Sequence, residues 1–322
     1  MSNGFSASET ATGRLFGDLF AAYDDAAFKR SVELFSDRFI DAGFDVSWFK
    51  GKKCLDAGCG GGRYSIAMAH LGASEVMGVD LSEVAVQDAR RRAEQLGADH
   101  VTFKVGSVAA LPADDASFDC VIHSGVLMHT AEPVKVLREL NRVLRPGGML
   151  YALVYATEGL RWPLVQMLRP IAQHFEFETL DRAVDEAGMP VNRRRTYLDD
   201  LFVPFIDFYS WPCLKGLLEH IGFESVSRWE KGRLDHEQDL DRYVADLRGF
   251  LEVFGALSKM ATVSGLHNPE LARTGTQICL ETVNHAESIL KLVRCGALTN
   301  ELGRALVIGQ GHHRLIATKK LS

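Results

Sequence analysis

The sequence predicts an α/β protein built on a doubly wound, mostly parallel sheet of seven strands. Short apolar segments alternate with segments of helical periodicity from Lys52 to Tyr155, which is typical of a parallel sheet covered by helices on both faces. Two further strand-like segments, 224–229 and 314–318, follow near the carboxyl end. We therefore expect ligands to bind beyond the carboxyl ends of the strands, as in other open α/β sheets.

Five strands and three helices are predicted within the alternating region. Each strand is a short apolar run, and each helix repeats apolar residues at three-to-four spacing. The predicted strands cover 54–57, 75–79, 101–105, 118–122 and 149–155, with helices at 63–71, 82–96 and 133–144. Ser82 is a candidate N-cap for the second helix, and Pro133 lies in the first turn of the third. Before this region, apolar residues at helical spacing from Leu15 onward indicate two more helices.

Composition and charge disfavour several classes of protein. The 322 residues are 47% hydrophobic and 24% charged, and the net charge of −6 gives no general attraction to nucleic acid or anionic membranes. The six cysteines include no Cys-x-x-Cys pair, so no metal site is predicted. No secretory signal is recognisable, and no apolar run reaches the ~18 residues that span a bilayer. The sequence therefore predicts a cytoplasmic protein.

A glycine-rich turn follows the first predicted strand. Asp56 is followed by glycines at alternate positions, Gly58, Gly60 and Gly62, and a helix begins directly after them at Arg63. Such glycines permit a tight turn, let the backbone approach a ligand and present N–H groups at a helix N-terminus. A dinucleotide-binding fingerprint needs a glycine three residues after Gly60, where Arg63 stands. The turn therefore departs from the NAD pattern.

This acid-led glycine set resembles motif I of the class I S-adenosylmethionine methyltransferases, a family with a Rossmann-like fold. Three later features resemble the family's motifs in the expected order: the acid at 80, the strand-four segment 117–129 and the segment 144–150. The loop at 106–108 matches less closely, because the family usually has Asp where Ser107 stands. The resemblance covers about residues 50–155 and the two late strands. It implies a methyltransferase with S-adenosyl-L-methionine as its cofactor.

The resemblance also implies a set of cofactor contacts. The glycine loop would hold the methionine moiety, Asp80 the ribose hydroxyls, and the loop after strand three the adenine ring. The residues assigned to the cofactor are Asp56, Gly58, Cys59, Gly60, Gly62, Arg63, Asp80, Leu81, Ser107, Val108, His123 and Ser124.

His129 is the candidate catalytic residue. It follows the fourth strand, and imidazole can accept a proton near neutral pH. The alternative is a capping or supporting histidine at the start of the next helix. Tyr155, Glu158 and the pair His312–His313 are weaker candidates for the same rim of the sheet, and a solvated turn is the favoured interpretation of the histidine pair.

The apolar and helical patterns divide the chain into six segments, one of which is the cofactor-binding core. They are an N-terminal helical segment (1–49), a cofactor-binding core (50–157), an aromatic-rich insertion or lid (158–212), a late core helix and strand (213–232), a helical insertion (233–311) and a final core strand (312–322). The helical pattern at 237–294 suits a lid over the acceptor or a helix pair that mediates homodimerisation. Both remain open, because an apolar stripe does not specify its partner.

The predicted function is methyl transfer from S-adenosylmethionine to an O, N or C nucleophile of a small molecule, by in-line displacement. The aromatic residues between Tyr197 and Trp211, with Arg193 to Arg195 nearby, suit an aromatic or anionic acceptor, or simply the seating of the insertion. Neither nucleic acid nor a membrane is expected as a partner. Two alternatives remain open: use of the cofactor for other chemistry or regulation, and methylation of a protein.

Overall fold

A seven-stranded sheet forms the centre of a computed structural model that describes residues 5–21, 24–190, 193–229, 239–263 and 268–321. The strands are β1 Lys53–Ala57, β2 Glu75–Asp80, β3 Val101–Val105, β4 Phe118–Ser124, β5 Leu144–Tyr155, β6 Phe223–Arg228 and β7 His312–Lys319. Their order is β3-β2-β1-β4-β5-β7-β6, with β1 to β5 parallel and β7 antiparallel to β5 and β6. The predicted fold class is confirmed.

The helices agree with the predicted alternation in the core and add detail elsewhere. In the described residues they are α1 Ala7–Ala21, α2 Asp25–Asp41, α3 Arg63–His70, α4 Glu83–Gln95, α5 Pro133–Val143, α6 Arg161–Ala172, α7 Phe177–Glu186, α8 Arg194–Phe202, α9 Trp211–Ile221, α10 Leu240–Val263, α11 Pro269–Arg294 and α12 Asn300–Val307. Helix α1 begins well before the predicted start at Leu15, because Ser6 caps it. None of these helices is both long and apolar enough to cross a membrane.

Two buried apolar clusters cover the sheet. One gathers side chains of α5 and α9, such as Leu140 and Leu218, and the other gathers side chains of α2, α3 and α4. Successive residues of β4 alternate between them, since Val121 joins the first cluster while Cys120 and Ile122 join the second. The strand is therefore buried on both faces, which explains why its sequence is a continuous apolar run.

The chain forms two units, each described by itself. The first unit comprises Met1–Tyr155, Pro204–Leu234 and His312–Ser322, and the second comprises Ala156–Val203 and Asp235–Gly311. The sheet lies in the first unit, and α6, α7, α8, α10, α11 and α12 lie in the second.

The boundary at Val203 differs from the predicted end of the aromatic-rich insertion at 212. Asp207 N donates to Met128 O at 2.9 Å, and Tyr209 N donates to Tyr155 O at 3.0 Å. Tyr155 ends β5 and Met128 lies in the turn after β4, so these bonds attach the segment after Val203 to the first unit. Within the predicted segments 213–232 and 233–311, positions 230–238 and 264–267 lie outside the described residues.

Candidate functional site

The glycine loop after β1 has a backbone that side chains would disrupt. Gly58, Gly60 and Gly62 have φ angles of +87°, +51° and +82°, in the left-handed region that favours glycine. A Cβ on Gly58 would lie 2.4 Å from Val126 Cγ2, and one on Gly62 would lie 2.8 Å from Phe103 Cζ. The loop therefore packs tightly against the segment after β4 on one side and against β3 on the other.

Asp80, the last residue of β2, holds this loop in place. Its Oδ2 accepts a hydrogen bond from Gly60 N at 2.8 Å, and its Oδ1 accepts one from Ser82 N at 2.9 Å. Burial raises the pKa of this carboxyl, and the bonds from backbone N–H groups oppose the rise. Each carboxylate oxygen retains a second lone pair. Asp80 can thus also accept hydrogen bonds from the hydroxyls of a ligand.

Asp56, the other acid at the loop, lies inside the protein. Its side chain is 1% exposed, and its Oδ2 accepts a hydrogen bond from Ser65 Oγ at 2.7 Å. Burial raises the pKa of Asp56 to about 7, against the lowering effect of the Ser65 bond. Asp56 ties β1 to α3, and its contact with a cofactor stays a prediction.

His123 and Ser124 end β4 beside the glycine loop. His123 is fully buried and its Nδ1 lies 2.8 Å from Ala57 O, while its Nε2 has no hydrogen-bond partner among the described residues. Burial lowers the pKa of His123 to about 4, so the imidazole is neutral and donates from Nδ1. Ser124 Oγ lies 3.5 Å from Tyr64 Oη. An acceptor lone pair of His123 is thus buried at the end of β4.

Two other assigned residues have core positions. Cys59 is 6% exposed, and its N–H, like that of Gly58, donates to Val79 O. Val108 is 5% exposed and packs in the apolar cluster that includes α5. These side chains support the loops from within, so a contact with the cofactor would fall to their backbone atoms.

The candidate base His129 is held by the segment that follows Val203. Its Nδ1 lies 3.1 Å from Phe205 O, and the side chain is 7% exposed. A proton on Nδ1 satisfies that carbonyl and puts the basic lone pair on Nε2. The rings of Phe16 and Tyr155 lie 5.2 and 5.5 Å from the imidazole, between ring centroids. The role of His129 as a general base stays a prediction.

The four weaker candidates for the rim of the sheet have different surroundings. The ring of Tyr155 lies 5.5 Å from that of His129 and 5.2 Å from that of His312, so Tyr155 contacts both histidines. His313 is buried with Nε2 2.8 Å from Tyr209 O, which makes it part of the packing. Glu158 belongs to the second unit.

Helix α1 contacts two of the candidate site residues, which the sequence pattern does not predict. Ser107 Oγ, in the loop after β3, donates to Glu9 Oε1 at 2.5 Å, and Phe16 contacts His129. The sequence holds one local signal for the start of α1, because Ser6 and Glu9 have the spacing of a capping box.

The basic run near the aromatic segment is engaged within the second unit. Arg193 pairs with Asp246, and Arg194 pairs with Asp181 and Asp185. These two guanidinium groups are neutralised by their own unit, so they give no support to recognition of an anionic acceptor.

Comparison with known proteins finds methyltransferase similarity in the core of the chain. Residues 49–169 match the family model described as a methyltransferase domain. A ubiquinone biosynthesis O-methyltransferase of Roseobacter denitrificans is 32% identical over 163 residues, 45% of this chain and 63% of that protein. An uncharacterized 37.1 kDa protein in transposon TN4556 of Streptomyces fradiae is 43% identical over 102 residues, 31% of this chain and 29% of that protein. The chain thus spans less than two thirds of the length of these relatives.

Among solved structures, the chain is similar to the 4+2 cyclase SpnF. The identity is 18% and the TM-score 0.49, with 98% of this chain and 97% of that chain covered. At that identity and score the likeness bears on neither substrate nor reaction.

Proposed function

We propose, on the premise that residues 49–169 form a methyltransferase domain of the class I S-adenosylmethionine-dependent family, that this chain methylates a small molecule. The acceptor atom is an oxygen, nitrogen or carbon nucleophile. Oxygen is favoured because the Roseobacter denitrificans relative is named an O-methyltransferase. The observation that carries the proposal is Asp80, which joins the glycine loop to the start of α4 at the carboxyl edge of the sheet.

The residues at this edge fit S-adenosylmethionine. Gly62 begins α3 in the left-handed conformation without a side-chain cap, so the first N–H groups of α3 suit the carboxylate of the methionine moiety. Asp80 suits the two ribose hydroxyls, and the loop at Ser107 suits the adenine ring. The buried Nε2 of His123 is a further acceptor beside the loop. When bound, the cofactor supplies an electrophilic methyl group on a sulfonium.

His129 would act as the base of the reaction. Nε2 would accept the proton of the acceptor hydroxyl as the hydroxyl oxygen takes the methyl group that the bound cofactor would supply. The hydrogen bond from Nδ1 to Phe205 O keeps the imidazole oriented and stabilises its protonated form. Phe16 and Tyr155, packed on the ring, keep water away from the proton transfer.

The surroundings of His129 favour a planar acceptor. Tyr155 contacts the imidazole edge-on and lies nearly parallel to Phe208, with 6.3 Å between ring centroids. Aromatic side chains around one basic group suit a ring that carries a hydroxyl. We therefore infer a phenol or catechol as the acceptor class.

The proposal is tested with cofactor labelled in its methyl group. The purified protein is incubated with this cofactor and phenols, catechols, amines or carbon acids, and labelled product and S-adenosylhomocysteine are measured. We expect label on the oxygen of a phenol or catechol, and about tenfold less or lower still with the Asp80→Ala variant at a limiting concentration of the cofactor. Cofactor binding without transfer to any of these classes would contradict the proposal, and label on added protein would favour a protein methyltransferase.

A further inference from the structure

Helix α1 carries a carboxylate to the loop where the adenine ring is expected. We propose that Glu9 receives the exocyclic amino group of adenine and so sets the base specificity of the cofactor site. The inference rests on the proposed function, because it takes S-adenosylmethionine as the cofactor. It assigns the recognition of the base to a helix outside the alternating sheet.

The position of Glu9 follows from the register of β2 and β3. Asp80 is paired with Val105, and Gly106 N donates to Asp80 O at 2.9 Å. The loop that starts at Gly106 is therefore the neighbour of the acid that suits the ribose. Since the base is bonded to the ribose, it must lie next to this loop, and Ser107 Oγ donates to Glu9 Oε1 there.

Glu9 has the charge and the fixed orientation that this task requires. Its Oε2 accepts hydrogen bonds from Ser6 N at 2.9 Å and Ser6 Oγ at 3.0 Å, while Oε1 meets Ser107. Burial opposes ionisation, but the bonds from Ser107 and Ser6 and the charge of Lys135 together lower the pKa of Glu9. The side chain is thus an ionised, acceptor-only group, complementary to the two N–H donors of an adenine amine.

There is open space at this hydrogen bond. A cavity of about 530 Å³ is lined by Glu9 and Ser107 together with Val105, Ala109 and Lys135. The other carboxylate in its wall, Glu132, is exposed and lies 3.2 Å from Lys135 Nζ. Glu9 is therefore the acid that is half-buried and held towards the loop.

The backbone of α1 is shaped for this approach. A Cβ on Gly13 would lie 3.2 Å from Leu81 Cβ, and one on Gly17 would lie 2.1 Å from Ser82 Oγ. Gly13, Gly17 and Glu9 lie on one face of the helix, at spacings of four residues. The two glycines let α1 rest against the residues after β2, which brings Glu9 to the loop after β3.

The test compares two ligands that differ at the purine 6-position. S-adenosylhomocysteine carries an amino group there, and S-inosylhomocysteine carries an oxo group. For the unmodified protein we expect adenosine to be preferred by about 10- to 100-fold in Kd, the size of a hydrogen bond to a charged group. Glu9→Gln keeps a capping residue but gains an amide donor, so the preference should shift towards the inosine ligand by about tenfold or more.

Two further variants distinguish recognition of adenine by Glu9 from a role of Glu9 in attaching α1 to the loop after β3. Ser6→Ala removes the bond from Ser6 Oγ to Glu9 but keeps the bonds to Glu9 from Ser6 N and from Ser107, which still orient the carboxylate, so the preference should be retained. Glu9→Ala should lose the preference for adenine. Adding Ser107→Asp to Glu9→Ala should restore it, because the new carboxylate would lie in the loop where Ser107 now contacts the carboxylate of Glu9.

The outcomes distinguish this inference from the proposed function. If the unmodified protein fails to bind S-adenosylhomocysteine, the proposed function is wrong. If it binds, and Glu9→Gln leaves the preference unchanged or Ser6→Ala abolishes it equally, Glu9 only fastens α1 and the present inference is overturned.

Discussion

At the level of single residues, the two acids beside the glycine loop, Asp56 and Asp80, differ in burial and in hydrogen bonding, although each ends or nearly ends a predicted strand. Asp80 is half-buried and bonds two backbone N–H groups, whereas Asp56 is buried and bonds one hydroxyl. The motif predicts that both are needed, but it does not say which one faces solvent. That difference arises from the packing of α3 on β1, which no local pattern encodes.

Asp56 makes the stability of the unliganded protein depend on pH. Its folded pKa of about 7 exceeds the ordinary value of 3.8, so the folded state holds a proton that the unfolded state has lost between these values. The free energy of unfolding should therefore fall as pH rises from about 4 to 7, by up to about 4 kcal/mol. Asp56→Asn should remove this slope in urea unfolding measured between pH 4 and 8. The exposed Asp99→Asn is the control, and an unchanged slope in Asp56→Asn would refute the assignment.

The role of His129 as a general base can be tested by measuring catalysis and cofactor binding separately. If Nε2 accepts the proton of the acceptor, His129→Gln should lower kcat by about 10²- to 10⁴-fold and leave the Kd of S-adenosylhomocysteine unchanged. The acidic limb of the pH–rate profile should also disappear. His220→Gln, on the exposed face of α9, is the control. An equal loss of cofactor affinity would show that His129 supports the site instead of taking the proton.

At the scale of elements, the strands follow from sequence and the position of α1 does not. Apolar runs between glycines locate β1 to β4 within about two residues, because buried parallel strands have little other choice of sequence. The contact of Glu9 with Ser107 joins residues 98 positions apart. No periodicity reports such a contact, and only the capping box at Ser6 and the glycines of α1 gave a local signal.

The close approach of α1 to α4 predicts the effect of a single methyl group. A Cβ at position 17 would collide with Ser82 Oγ, which is fixed because it caps α4 by accepting from Ala85 N. Gly17→Ala should therefore displace α1 and weaken S-adenosylhomocysteine binding by about tenfold, although alanine is the better helix former. Gly216→Ala, where no atom lies within 4 Å, is the matched control in α9. Equal affinities for the two variants, measured by calorimetry, would contradict the coupling of α1 to the site.

At the scale of the whole molecule, the first unit contains every residue assigned to the cofactor. The sequence predicts this because its motifs lie in order at the ends of β1 to β4. The aromatic segment was harder to interpret, since Tyr197 belongs to the second unit and Tyr209 to the first. Composition cannot find that boundary, because it depends on which backbone groups bond to the sheet.

The proposed function requires that the glycine loop and Asp80 bind S-adenosylmethionine and not NAD. The two ligands are distinguished by calorimetric titration of the purified protein with S-adenosylhomocysteine and with NAD. We expect one S-adenosylhomocysteine to bind per chain, Asp80→Ala to weaken that binding by about tenfold or more, and NAD to give no heat of binding. Tighter binding of NAD, or an Asp80→Ala variant with unchanged affinity, would refute the assignment of the cofactor to this loop.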